Sequence, residues 1–162
     1  MDSANSPSSN VIHLKRPVLF GDCDPEGIVY TPRFAFFAVE AIHDALAIWL
    51  DDGSGKYHKH GGGLRRLMGY DILPPARAFN LEFLHPVTWD EVLDIRVSVA
   101  NVSDRSFTFH IEGWLEQSRL TKAKNVQIFS ADLTQVCADP KTVKSMPIPA
   151  ELKSILQRLI AE

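Results

Sequence analysis

Cysteine is scarce in this 162-residue sequence, with Cys23 and Cys137 the only two. Two cysteines exclude a disulfide-stapled scaffold, and their separation fits neither a zinc site nor a redox motif, so both are expected as free thiols. Long apolar runs are also missing. Nothing approaches the roughly 20 consecutive apolar residues of a membrane-spanning helix, so no membrane partner is expected. Positive charge is short as well: 17 Lys and Arg against 20 Asp and Glu give a formal net charge of −3. That leaves no basic surface to hold a phosphate backbone, and nucleic acid is set aside as a partner. Residues 1–10 are polar and carry no apolar segment of the signal-peptide kind, which makes the cytoplasm the expected compartment.

What remains is the composition of a globular protein, 45% hydrophobic and 23% charged, at a length that buries a core without disulfides or metal. Residues 1–9, with four serines, an asparagine and a proline, read as a disordered leader, and residues 10–162 as a single domain. Residues 11–20 are apolar and β-branched enough for a strand, with Pro17 marking an edge or a bulge. Thr31 and Pro32 suit a helix start, the hydroxyl as a cap and proline in the first turn. The helix then runs to about Leu50. Phe34, Phe37, Ala38, Ala41, Ile42, Ala45, Leu46 and Trp49 recur at helical spacing, while Phe36, Val39, Ile48 and Leu50 add apolar groups around the axis, so this helix is expected to be wrapped.

A glycine-rich loop over residues 52–63 and a short helical segment over 64–70 lead to Pro74 and Pro75. Beyond them the chain reads almost entirely as strand: residues 79–87, the alternation of Leu93, Ile95, Val97 and Val99, that of Phe107, Phe109 and Ile111, and residues 120–136. Leu152, Ile155, Leu156, Leu159 and Ile160 form the apolar stripe of a terminal helix. The order of strand, long apolar helix and four strands implies an α+β fold with an antiparallel sheet packed against the helix.

The informative segment is residues 20–33, FGDCDPEGIVYTPR, which sets two aspartates in a tight loop ahead of a helix N-terminus. A helix N-terminus has free N–H groups and partial positive charge, and it can hold the oxygen of a carbonyl under attack. Tyr30, Thr31 and Arg33 have such N–H groups; Pro32 does not. A carboxylate over the same carbonyl can act as nucleophile or as general base for water. Gly27 fits a backbone conformation open to glycine, or a close approach of substrate. Asp22 reads as a turn-holding aspartate, and Glu26 as a solvated helper of the same turn. The spacing of Asp22, Asp24, Glu26 and Gly27 mimics the start of an EF-hand loop, but its twelfth position is Arg33, a cation where calcium needs a bidentate glutamate. Cys23 lies between two carboxylates that disfavour its thiolate.

The same fourteen residues resemble the active-site region of the 4-hydroxybenzoyl-CoA thioesterase family of hotdog-fold enzymes. The resemblance implies a hotdog fold, with a five-stranded antiparallel sheet wrapped around the long helix. It implies that Asp24, immediately before the proline, is catalytic, and that the backbone N–H of Thr31 is the oxyanion donor. Gly27 completes the expected catalytic set. The implied substrate is an aromatic or medium-chain acyl-CoA, hydrolysed to the free acid and coenzyme A, with no cofactor and no metal. By the same resemblance the acyl group lies between two protomers of a homodimer, itself paired into a homotetramer. Tyr30, Phe34, Phe37 and Glu40 are the expected substrate-binding residues there, with Phe36 and Val39 adding apolar lining. Arg105, in the turn NVSDRSF, is the expected partner of the coenzyme A phosphates, with Arg65, Arg66, Lys122 and Lys124 as alternatives. Two other readings use the same fold: a hydratase or dehydratase, which would need a histidine that the loop lacks, and a non-catalytic acyl-CoA-binding protein.

Overall fold

A computed structural model describes residues 10–160. Five strands form one antiparallel sheet in the order β1-β3-β4-β5-β2: β1 Ile12–Pro17, β2 Ala76–Phe83, β3 Val92–Val102, β4 Ser106–Gln117 and β5 Lys124–Val136. Helix α1, Arg33–Trp49, crosses one face; α2, Gly63–Met68, and α3, Ala150–Arg158, follow later in the chain. This is the hotdog arrangement that the resemblance implied.

The alternation in the strands is what positions the core. Leu93, Ile95, Val97 and Val99 of β3 and Phe107, Phe109 and Ile111 of β4 all point inward and are fully or almost fully buried. The register Val97↔Ile111 and Ile111↔Ala131 aligns them across β3, β4 and β5. Against them α1 lays Phe34, Phe37, Ala38, Ala41, Ile42, Ala45 and Leu46. Burying one such large side chain contributes about 1.5–3 kcal/mol, which outweighs the modest helix propensities of the phenylalanines and isoleucine. Helix α3 adds Leu152 and Leu156, one turn apart and both 0% exposed.

The strands' other face carries a charged network. His13 and Arg96 flank Asp94 at 3.2 and 3.1 Å, and the Arg96 guanidinium lies 4.8 Å over the Trp114 ring. Trp114 donates to Glu112 at 2.9 Å, and His110 sits between Glu112 and Asp132 at 3.1 and 2.9 Å.

Several expectations change. The wrapping of α1 is one-sided within the chain: Phe36 is 55% and Ile48 50% exposed. No side chain caps α1; its cap residue is Pro32, and Thr31 stands outside the helix. The first strand ends at Pro17 because residues 20–22 turn into a 3-10 helix. The strand expected over 79–87 is shifted to Ala76–Phe83, because Val87 accepts from Val29 N–H instead of continuing the ladder. The last strand begins at Lys124, since Ser118 Oγ accepts the N–H groups of Leu120 and Thr121 and bends residues 118–123 into a turn. Residues 1–9, the expected leader, lie outside the described residues. Among the described residues no helix is long and apolar enough to cross a membrane.

Candidate functional site

The loop between β1 and α1 is a miniature hairpin. Cys23 and Val29 form an antiparallel bridge, Asp24 N–H donates to the Ile28 carbonyl at 2.8 Å, and Tyr30 N–H donates to the Asp22 carbonyl at 2.9 Å. Its outer limb is tied to the segment entering β3: Ile28 bridges Thr88, and Trp89 N–H donates to the Gly27 carbonyl at 3.3 Å. The tip turns at Gly27, whose φ of +81° lies in the left-handed region, where glycine carries no Cβ penalty. A Cβ at Gly27 would also touch the Trp89 ring at 3.4 Å.

The two aspartates have different fates. Asp22 is 2% exposed and fully occupied. Its Oδ1 accepts from Arg33 Nε at 3.0 Å and Nη2 at 2.6 Å; its Oδ2 accepts from Leu19 N–H at 2.9 Å and from Arg16 Nη1 at 3.4 Å. Burial alone would raise its carboxyl, but the Leu19 N–H, the Arg33 bonds and the two guanidinium charges outweigh burial and hold it below the usual carboxylate range. Asp24 is half-buried. Its Oδ1 accepts from the N–H groups of Glu26 at 2.9 Å and Ile28 at 3.2 Å, which fixes the carboxylate on the turn. Among the described residues Oδ2 has no hydrogen-bond partner.

The helix start sorts its own N–H groups. Tyr30 N–H is committed to Asp22, Arg33 N–H to the Tyr30 carbonyl at 2.8 Å, and Phe34 N–H to the Thr31 carbonyl at 3.3 Å. Pro32 has none, which leaves Thr31 as the residue here whose N–H has no acceptor among the described residues. A carboxylate oxygen and a backbone N–H, both unspent, thus flank one loop, the combination that attack on a carbonyl needs.

The remaining expected residues spread more widely. Tyr30 is exposed at the helix start. Phe34 and Phe37 belong to the core: Phe34 packs at 5.4 to 5.9 Å from the rings of Phe129, Phe83 and Phe37, and Phe37 is fully buried under the Arg16 guanidinium. Phe36, beside them in sequence, faces outward, as do Phe20, Phe83 and Trp89. Glu40 is half-exposed and receives Arg16 Nε at 3.4 Å, which makes it the end of a Glu40, Arg16, Asp22, Arg33 chain of alternating charge. Arg105 stands at the far end of the sheet. Strand β3 starts next to the loop and runs for 11 residues, so at about 3.3 Å per residue Arg105 is on the order of 30 Å away along the strand. Arg66 is buried against Asp51, Asp52 and the Leu50 carbonyl, and this structural role removes it from the phosphate alternatives. Lys122 and Lys124 border the turn between β4 and β5, at the loop's end of β3.

Cys23 is disfavoured as a nucleophile, since desolvation and the charges of Asp22 and Asp24 push its thiol up. The burial of Cys137 raises it to about 11. Both are free thiols. Trp89 and Arg16, which shape the loop, drew no attention in the sequence. They lie 65 and 8 positions from Asp24, and no local motif links them to it.

The sequence profile of the thioesterase-like superfamily matches residues 18–156. The acyl-CoA thioester hydrolase YbgC of Escherichia coli O157:H7 is 22% identical over 135 residues, 83% of this chain and 87% of that protein. Among solved structures, a thioesterase-superfamily protein from Jannaschia sp. CCS1 has a TM-score of 0.76 and 23% identity, covering 100% of both chains. The 4-hydroxybenzoyl-CoA thioesterase of Pseudomonas sp. strain CBS-3 has a TM-score of 0.70 and 21% identity, covering 90% of this chain and 98% of that one. At these identities the structural likeness establishes a common fold.

Proposed function

The chain belongs to the thioesterase-like superfamily, and on that premise we propose that it hydrolyses aromatic or medium-chain acyl-CoA thioesters through Asp24. The observation that carries this reading is the loop itself, with one Asp24 oxygen outside the turn's own bonds and the Thr31 N–H without an acceptor. The thioester oxygen is received by Thr31 N–H, and the negative charge it gains in the tetrahedral intermediate is stabilised there. One such donor is worth about 10²–10³ in turnover. Asp24 serves either as base, taking a proton from the attacking water and returning it to the departing thiolate, or as nucleophile. In the nucleophilic route the Asp24 carboxylate displaces the coenzyme A thiolate, which takes a proton from solvent, and forms a mixed anhydride that water then opens to the free acid and the regenerated carboxylate. Gly27 holds the turn that aims Asp24.

The acyl group lies against the exposed rings near the loop, closed over by a second copy. The exposure of Phe20, Phe36, Phe83 and Trp89 and of nearly every residue of edge strand β2 supports a homodimer, and a homotetramer as a dimer of dimers. In such an assembly Tyr30 sits at the acyl end with Phe34 behind it, and Arg105 meets the coenzyme A phosphates of a site on a neighbouring copy. Glu40 borders the same face of α1, and Phe37 backs it from the core. No cofactor takes part, and the cytoplasm is the compartment that goes with this substrate.

The test is thiol release from a panel of benzoyl-, hydroxybenzoyl-, phenylacetyl- and straight-chain acyl-CoA thioesters. Wild type is expected to hydrolyse at least one, and Asp24→Asn to lose turnover by about 10³-fold or more while remaining folded and dimeric. Equal turnover by the two proteins would sink the assignment of Asp24. Binding without thiol release by the wild type would move the reading to an acyl-CoA-binding protein.

A further inference from the structure

The most fully satisfied polar group beside the site is one to which the proposed chemistry assigns no part. Asp22 is separated from Asp24 by a single extended residue, Cys23 (φ −106°, ψ 155°). Its four donors come from three different places: Arg16 in β1, Leu19 at the 3-10 turn, and Arg33, which gives two bonds from the first residue of α1. The arginines are themselves braced. Arg16 lies 4.5 Å over the Phe37 ring, and Arg33 lies 5.1 Å over the Phe36 ring. The Asp22 carbonyl also takes the N–H of Tyr30, the residue before Thr31.

One residue therefore ties together both halves of the proposed catalytic pair. Its side chain fixes the first turn of α1 against the loop, and its main chain fixes the limb that ends in Thr31. A fork of two N–H···O bonds from a planar guanidinium restricts direction as well as distance. Lysine in its place would keep the charge without that restriction.

We propose that the Asp22–Arg33 pair is a positioning element for the hydrolytic site, setting the Thr31 N–H and the Asp24 carboxylate at the distance and angle that attack on the thioester requires. The proposal rests on the thioesterase reading with Asp24 as the catalytic carboxylate. It separates the two aspartates by role: Asp24 touches the reacting atoms, and Asp22 acts only through its neighbours. A displacement of about 1 Å in such a pair reduces turnover on the order of 10²-fold, because substrate still binds while the attacking geometry is missed.

The experiment compares Arg33→Ala, Arg33→Lys, Asp22→Asn and, as a separate arm, Asp24→Asn. Each is assayed at a temperature well below its own unfolding midpoint, so that only folded protein is compared. Arg33→Ala and Asp22→Asn are expected to lower kcat about 100-fold with KM changed less than about 3-fold, and Arg33→Lys to recover part of the loss. Affinity for a non-hydrolysable thioether analogue of the acyl-CoA is expected to stay within the same 3-fold. A pair that only stabilises the fold gives a lower unfolding midpoint with kcat intact, and kcat within about 3-fold of wild type in folded Arg33→Ala overturns the proposal. Arg33→Lys keeps the positive charge beside Asp22, so the question remains answerable if Arg33→Ala does not fold; full wild-type kcat in Arg33→Lys counts against the forked geometry and overturns it equally. The Asp24→Asn arm reads the underlying assignment by itself. Wild-type turnover there removes both readings, whereas a dead Asp24→Asn beside an intact Arg33→Ala removes only this one.

Discussion

Replacing Gly113 by alanine tests how tightly the core is coupled to the helix that carries the site. Gly113 lies on β4 directly opposite Phe129 of β5, and its inward face is filled by the Phe129 ring. A Cβ there would stand 2.3 Å from Phe129 Cε1 and 2.5 Å from Cδ1, more than 1 Å inside the roughly 3.5–4.0 Å at which carbon atoms rest. Phe129 is fully buried, and its ring packs 5.4 Å from Phe34, the second residue of α1. The ring has little room to yield without moving that helix end. Two effects compete. Losing glycine's freedom in the unfolded chain favours alanine by about 0.4–1 kcal/mol, whereas overpacking a filled core costs about 1–3 kcal/mol. Overpacking wins, and a net loss of about 1–2 kcal/mol lowers the unfolding midpoint by roughly 2–8 °C at this chain length. Thermal unfolding of Gly113→Ala reads the shift. Gly113→Ala combined with Phe129→Leu is expected to lose less than the two single changes added together, since trimming the ring relieves the clash. A midpoint equal to or above that of wild type, or strict additivity, would falsify the steric argument.

Gly27→Ala is expected to fold with a stability loss of about 1–2 kcal/mol, the penalty of a left-handed residue bearing a Cβ, and to lose a larger share of its turnover, because the same turn aims Asp24; unchanged kcat would disconnect the turn from the chemistry. His110 supplies a pH test of the outer sheet face. Desolvation pushes its pKa down, but the bonds to Asp132 and Glu112 and their charges outweigh desolvation and raise it above the ordinary value. A raised folded pKa means stabilisation that is complete below the unfolded pKa of about 6.5 and is lost as pH rises through the folded one. The wild-type unfolding midpoint should therefore decline from about pH 6 upward relative to His110→Gln, and parallel curves would refute the linkage.

The strands facing the core were legible because their chemistry repeats every two residues. Leu93 to Val99 and Phe107 to Ile111 keep apolar groups on the face that α1 covers, and that period survives any uncertainty about where a strand ends. Strand β2 was misplaced toward Val87 because both its faces are largely exposed within the chain, so burial imposes no alternation on it. The outward turn of Phe36 and Ile48 was equally hidden, since an apolar residue in sequence carries no mark of whether its own chain or a second copy covers it. Asp24 and Thr31 were named through the family resemblance, which could carry them because both fall within the contiguous residues 20–33. The Arg33 bond to Asp22 spans 11 positions, and it forms only because the loop folds back beside the helix it precedes. Arg66 shows the same limit: a cation on a short helical segment reads as an alternative partner for the coenzyme A phosphates until Asp51 and Asp52 are seen to close over it.

Asp22 and Asp24 are the same residue type in the same loop, with one residue between them, so residue type alone assigns neither a role. What separates them is how many donors each carboxylate meets. Asp22 meets donors on both oxygens, two of the four bonds being the forked pair from Arg33, and a carboxylate held in that way has lost basicity along with any open direction for attack. Asp24 gives one oxygen to two N–H groups of its own turn, enough to fix its orientation while leaving the second oxygen for a water or a carbonyl carbon. Pre-organisation needs a group that is held and a group that is left reactive, and a single carboxylate cannot be saturated and reactive at once. Under the proposed function, dividing the two requirements between neighbouring aspartates resolves the conflict within three residues of chain: the buried, better-bonded Asp22 is the group that holds, and Asp24 the group left open to react.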